Sequence, residues 1–285
     1  MAHVTADEVR KLVAQGGVVD LSGKDLSGIQ LGFTTLTSVK FSQANLTRAD
    51  FTEAELTDCD FTGATLDHAR LEGAKLTGAI LTGASLKQAT LDEAALESCD
   101  LSRADFSSAS LHDTSIGHSV ASGALFRQAN LYVASLNEST FAGANFIDAN
   151  FTAATLGSSQ FNQAGFARAR LDFVVASGAV FADSTWRDAR LRHANLTGCN
   201  FQGADLTGAD VMIASLEQAN LSGAILDETA FPRTVLRGAD LTGCDLSPTI
   251  LDGAWYDAET KWPAGFDPVA AGAKLEPQPS APPAR

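Results

Sequence analysis

The chain has 285 residues, with 34 acids against 20 bases, a formal net charge of −14 and a sequence pI near 4.6. Such acidity argues against sequence-independent binding to nucleic acid or to an anionic membrane. No stretch approaches the ~18 continuous apolar residues of a membrane span. The first residues lack the basic region and apolar run of a signal peptide, so a cytoplasmic protein is expected.

In chain order, the first predicted element is a helix. Thr5-Ala6-Asp7-Glu8 is a capping box, followed by apolar Val9, Leu12 and Val13 and a Gly16-Gly17 stop. Residues 5–15 are expected to lie over the open end of whatever follows and to hide its apolar side chains and unpaired edges. Residues 1–20 are read as this N-terminal cap.

From Leu21 to Leu251 a bulky apolar residue recurs at every fifth position without one insertion or deletion. Leu or Phe fills the slot except at Ile116, Ala121, Ala176, Trp186 and Val211. The stretch LRHAN LTGCN FQGAD LTGAD (191–210) shows the grammar: bulky first, small fourth, Asn or Asp fifth. A period of five matches neither the 3.6 of a helix nor the 2 of a strand, which leaves a solenoid. One Leu or Phe and one Ala per side fill a narrow, close-packed interior with no room for a cavity. Glycines concentrate at the third slot, where a type II turn needs positive φ.

On these residues the chain resembles the pentapeptide-repeat family, over about four fifths of its length. The resemblance implies an all-β fold: a right-handed quadrilateral parallel β-helix, four pentapeptides per 20-residue coil, spanning residues 21–256. Twelve coils at a strand-like spacing would make a rod of roughly 55–60 Å. The expected core includes a ladder of Phe106, Phe126, Phe146, Phe166 and Trp186.

The midsection departs from the motif. Tyr132, Val133, Phe173, Met212 and Ile213 are apolar at outward positions and recur every 40 residues. They are expected on one face, either as scattered exposed residues or as a contact strip for a partner or a second copy. Arg168, Arg170, Arg187, Arg190 and Arg192 form a basic waist between acidic ends. Local pairing, such as Arg168 between Asp148 and Asp188, is the favoured reading. After Leu251 the repeat dissolves. Trp255, Tyr256, Trp262 and Phe266 are expected to plug the last coil, and Pro263 and Pro268 to stop further pairing. Residues 257–275 are read as a C-terminal cap and 276–285 as a disordered, Pro-rich tail.

Nothing points to catalysis, a metal or a cofactor. His3, His68, His112, His118 and His193 show no ligand spacing, and Cys59, Cys99, Cys199 and Cys244 all occupy the small inward slot. The resemblance implies instead a non-enzymatic DNA mimic that binds DNA gyrase or topoisomerase IV and protects it from poisons, as in antibiotic self-resistance. The unbroken repeat resembles members without projecting loops. A rigid scaffold with another partner is the alternative on fold alone. The mimic reading places the contact on Asp60, Asp100, Asp105, Asp205, Asp210, Asp240 and Asp245. Charge reversal at Asp100 and Asp105 is then expected to weaken binding and leave thermal stability nearly unchanged. A homodimer is expected, through the apolar strip or the C-terminal aromatics.

Overall fold

The computed structural model describes residues 4–276, a four-sided solenoid closed at its N-terminal end by one helix. The helix, α1 (Ala6–Ala14), starts with the expected box: the Thr5 side chain accepts from the Glu8 amide while the Glu8 carboxylate takes the Thr5 amide at 2.8 Å. Val9 is fully buried against the core, and the Arg10 guanidinium donates to the Gln30 carbonyl at 2.8 Å, fixing α1 over the first coil. Leu12 stays half exposed.

Parallel bridges then join residues 20 apart from Asp20↔Lys40 onward, four to a coil. The bridging residue is the fifth of each pentapeptide and marks the middle of a side. Face one carries Asp20, Lys40, Asp60 and so on; face two starts at Asp25, face three at Gln30 and face four at Thr35. The apolar first residue and the small fourth residue flank each bridge and point inward, and the second and third residues turn the corner. Every third position from Gly23 to Gly253 has positive φ except Pro248, whose ring forbids it. Glycine therefore eases the corner without being required there.

The interior is as filled as the sequence demands. The Phe ladder stacks ring on ring one coil apart: Phe106–Phe126 at 4.9 Å, Phe126–Phe146 and Phe146–Phe166 at 5.0 Å, and Phe166–Trp186 at 4.1 Å. Polar residues in the small slot are also satisfied. Cys59, Thr114 and Ser139 donate to the carbonyls of Leu36, Leu91 and Ile116, each 23 residues back. Ser119, Ser139 and Ser159 add a second role: each hydroxyl accepts the backbone N–H of the slot one coil below. Burial pushes the Cys59, Cys99 and Cys199 thiols up to about 12, so they are packing groups.

The C-terminal end differs from expectation. Tyr256, Trp262 and Phe266 do pack together there, but Trp255 points outward, 38% exposed, with the Lys274 ammonium 5.8 Å from its ring. Nor do the prolines end the pairing. Pro263 and Pro268 lie in turns, and the chain returns so that β2 (Lys274–Leu275) pairs in parallel with β1 (Trp255–Tyr256). Of the expected disordered tail only Glu276 is described; residues 277–285 lie outside the described residues, as does His3.

Candidate functional site

The seven acidic candidates occupy three faces. Asp60, Asp100 and Asp240 belong to face one, Asp105, Asp205 and Asp245 to face two, and Asp210 to face three. They do not converge on one patch. In every one, Oδ1 accepts the backbone N–H two residues on, as in Asp60 with Thr62 at 2.9 Å and Asp100 with Ser102 at 2.9 Å. This Asx turn is why the motif wants Asp or Asn there. Asn145, Asn150 and Asn195 make the same bond without a charge.

The second oxygen decides what a partner meets. Oδ2 of Asp60 and Asp100 accepts the hydroxyls of Ser42 (2.6 Å) and Thr82 (2.9 Å), the second residues of the coil below. At the same place Asp105 meets Lys87, Asp205 meets Arg187 and Asp210 meets Arg192, while Asp240 meets Lys261. Asp205 is also buried. Among the described residues, Asp60, Asp100 and Asp245 make no ion pair. Burial pushes Asp60 and Asp100 up, but the hydrogen bonds outweigh it and hold both below the usual carboxylate range. They are anionic at neutral pH. Charge reversal at Asp100 and Asp105 is not a silent change, because a Lys there would leave the Ser102 and Ser107 amides without their acceptor.

The basic waist resolves mostly into pairs. Arg168 grips Asp148 with two bonds, at 2.7 and 2.8 Å, and Arg187, Arg190 and Arg192 bind Asp205, Asp172 and Asp210. The waist thus neutralises the acids next to it.

The five apolar candidates do align, on the corner between faces three and four and not on a flat side. Tyr132, Val133, Phe173 and Ile213 are exposed and Met212 half-buried. Sequence reasoning missed Val175, 44% exposed on the adjoining face four. That face carries no charge on its midline from Ala95 to Val235, through Ser115, Ser135, Thr155, Asn195 and Ser215. Counting in steps of 20 along the fifth position would have found it. No group of His, Cys, Asp and Glu that could hold a metal ion occurs among the described residues, and no helix there is long and apolar enough to cross a membrane.

The family described as pentapeptide repeats matches in eight copies, over residues 19–52, 44–83, 54–92, 84–120, 109–152, 177–211 and 214–253. The chain belongs to the pentapeptide-repeat family. Among solved pentapeptide-repeat structures it is similar to HetL, involved in heterocyst differentiation regulation in the cyanobacterium Nostoc sp. strain PCC 7120. That match has 27% identity, covers 88% of this chain and 97% of HetL, and has a TM-score of 0.44. It is also similar to full-length QnrB1, a plasmid-mediated fluoroquinolone resistance protein, at 17% identity, covering 85% and 92%, with a TM-score of 0.32. A pentapeptide-repeat protein of the Arabidopsis thaliana thylakoid lumen matches at 26% identity over 40% of this chain and 66% of its own, with a TM-score of 0.21. No curated protein sequence matches the chain.

Proposed function

We propose that this pentapeptide-repeat rod is a non-enzymatic protein that binds a type II topoisomerase, DNA gyrase or topoisomerase IV, where the enzyme grips duplex DNA, and shields it from poisons that act on the DNA-bound form. The reading takes the coil as right-handed, as membership of the family implies, and the protein as a cytoplasmic homodimer needing no cofactor. The observation that carries it is the placement of Asp60 and Asp100. These ionised carboxylates share one flat face of a rigid rod, two coils apart, and are held by hydroxyls instead of cations. A basic DNA-binding surface would meet them without first breaking an ion pair. Direct binding of nucleic acid by the rod is not part of this reading.

A second reading, a scaffold for some other partner, draws on the uncharged face four and its apolar corner. Gyrase supercoiling assays separate the two. With a fluoroquinolone present, micromolar protein is expected to restore supercoiling and reduce trapped cleavage complexes. If it neither inhibits nor protects gyrase or topoisomerase IV, the scaffold reading stands.

A further inference from the structure

The corner column that holds Phe173 has an internal symmetry. Read upward one coil at a time from Asp113, it runs Val133, Ala153, Phe173, His193 and Ile213 to Arg233. About Phe173 the two halves complement each other. Val133 and Ile213 stand two coils below and above, and Asp113 and Arg233 three coils below and above. Ala153 and His193, one coil away on either side, match a small residue with a large one.

Two further observations single out the same positions. Val133 and Ile213 are the β-branched residues among the non-glycine corners with positive φ, at 62° and 59°. Left-handed backbone is costly for a β-branched side chain, and such strain persists where something else is gained. Asp113 and Arg233 take part in no ion pair among the described residues, unlike Arg168, Arg187, Arg190 and Arg192 of the waist. Six coils at a ~4.8 Å rise put them about 29 Å apart, too far to meet within one chain.

We propose that the rod pairs with a second copy of itself, antiparallel, about a two-fold axis level with Phe173. This deepens the homodimer reading above by naming its surface and register. A two-fold interface is self-complementary: if residue i meets residue j of the second copy, j meets i. With the axis there, Phe173 packs on its own symmetry mate and Val133 on the second copy's Ile213. Asp113 reaches the second copy's Arg233, and the dimer contains each of these last two contacts twice. The ring of His193, stacked in-chain on Phe173 at 4.9 Å, lies opposite the second copy's Ala153, where there is room for it. In the neighbouring column Tyr132 falls opposite the second copy's Met212, and Asp172, at the axis opposite its own mate, is buried and neutralised in-chain by Arg190 at 3.0 Å. On face four, Val175 sits at the axis between uncharged residues, so the flat side can approach without burying an unpaired charge. The contact leaves the carboxylates of Asp60 and Asp100, on face one, open.

Sedimentation velocity and cysteine cross-linking test this arrangement. The single variants Asp113→Arg and Arg233→Asp are expected to weaken the dimer by about tenfold or more, because each places like charges opposite one another twice. The double variant Asp113→Arg/Arg233→Asp is expected to recover it, which no in-chain contact could do. On mild oxidation, Phe173→Cys is expected to form a covalent dimer by itself. Val133→Cys and Ile213→Cys should each cross-link only when mixed together, and the wild type, with its four cysteines buried, should not. Circular dichroism of each variant reports folding. A wild-type monomer at 100 µM overturns the proposal, as does a dimer whose Phe173→Cys variant gives no cross-link. In the second case the homodimer reading survives through another surface, such as the C-terminal end. Neither result bears on topoisomerase binding, which the supercoiling assay reads separately.

Discussion

Replacing Trp186 by Ala is expected to cost about 3–5 kcal/mol, at the upper end for a buried aromatic. The indole is fully buried. It stacks on Phe166 at 4.1 Å, meets the Phe181 ring edge-on at 4.9 Å and donates through Nε1 to the Ser184 hydroxyl at 2.7 Å. Its coil has a second anomaly, Ala176 in a slot that Leu or Phe fills at all but five positions, Trp186 being another of the five. Ten residues separate the two, so they stand on opposite walls of the same coil, the largest side chain of the core facing one of the smallest. Trp186→Leu alone, though it restores the motif, is expected to leave a void, and Ala176→Leu alone to overpack by about 1–3 kcal/mol. Together the two leucines should refill the coil, so the double variant is expected to be more stable than the sum of the singles allows. Guanidinium unfolding followed by circular dichroism gives the four midpoints. Strict additivity would mean that Trp186 and Ala176 do not compensate each other.

A proline at a corner of the mid-rod is the second large effect. Ser108 has φ 58° and donates its N–H to the Arg127 carbonyl at 2.8 Å. Proline allows neither, so Ser108→Pro is expected to cost about 3 kcal/mol or more. The chain holds its own control. At Pro248, the one third position without positive φ, the ring offers no N–H to the chain above, while the pentapeptide keeps its bridge from Ala230 to Ile250. That loss is tolerated one coil from the end, whereas at Ser108 it would separate two halves of a structure in which each coil is stabilised by its neighbours. A shift in the thermal midpoint no larger than that of Ser108→Ala would contradict this account of the corners.

The inside of the rod was legible because one rule governs it: each fifth residue must fill a fixed volume, and any phase slip would have shown. The capping box at Thr5 was legible for a similar reason, being local in sequence. The outside was harder. Reading columns in steps of 20 found the Arg168–Asp148 pair, yet Arg187–Asp205 and Arg192–Asp210 are 18 apart and escaped. The cause is the Asx turn. It commits Oδ1 to the residue's own corner and leaves Oδ2 for the second residue of the coil below. The C-terminal strand pair was missed because Lys274–Leu275 carries no repeat signature; the register there slips by one, with Trp255 facing Lys274. The apolar candidates lie on a corner because their second and third positions both turn.

The central claim is that carboxylates on a rigid rod compete with duplex DNA for a topoisomerase, and displacement of a fluorescent duplex from purified gyrase tests it most directly. The informative variant is Asp60→Asn/Asp100→Asn. Asn keeps the Asx turn, as Asn145 and Asn150 show, and removes the charge; its Nδ2 donates to the Ser42 or Thr82 hydroxyl where Oδ2 had accepted. Wild-type protein is expected to displace the duplex at micromolar concentration, less well as salt shortens the Debye length below ~8 Å. The double variant should displace it several-fold less well at an unchanged melting temperature. No displacement by the wild type, or equal displacement by the variant, would contradict the claim.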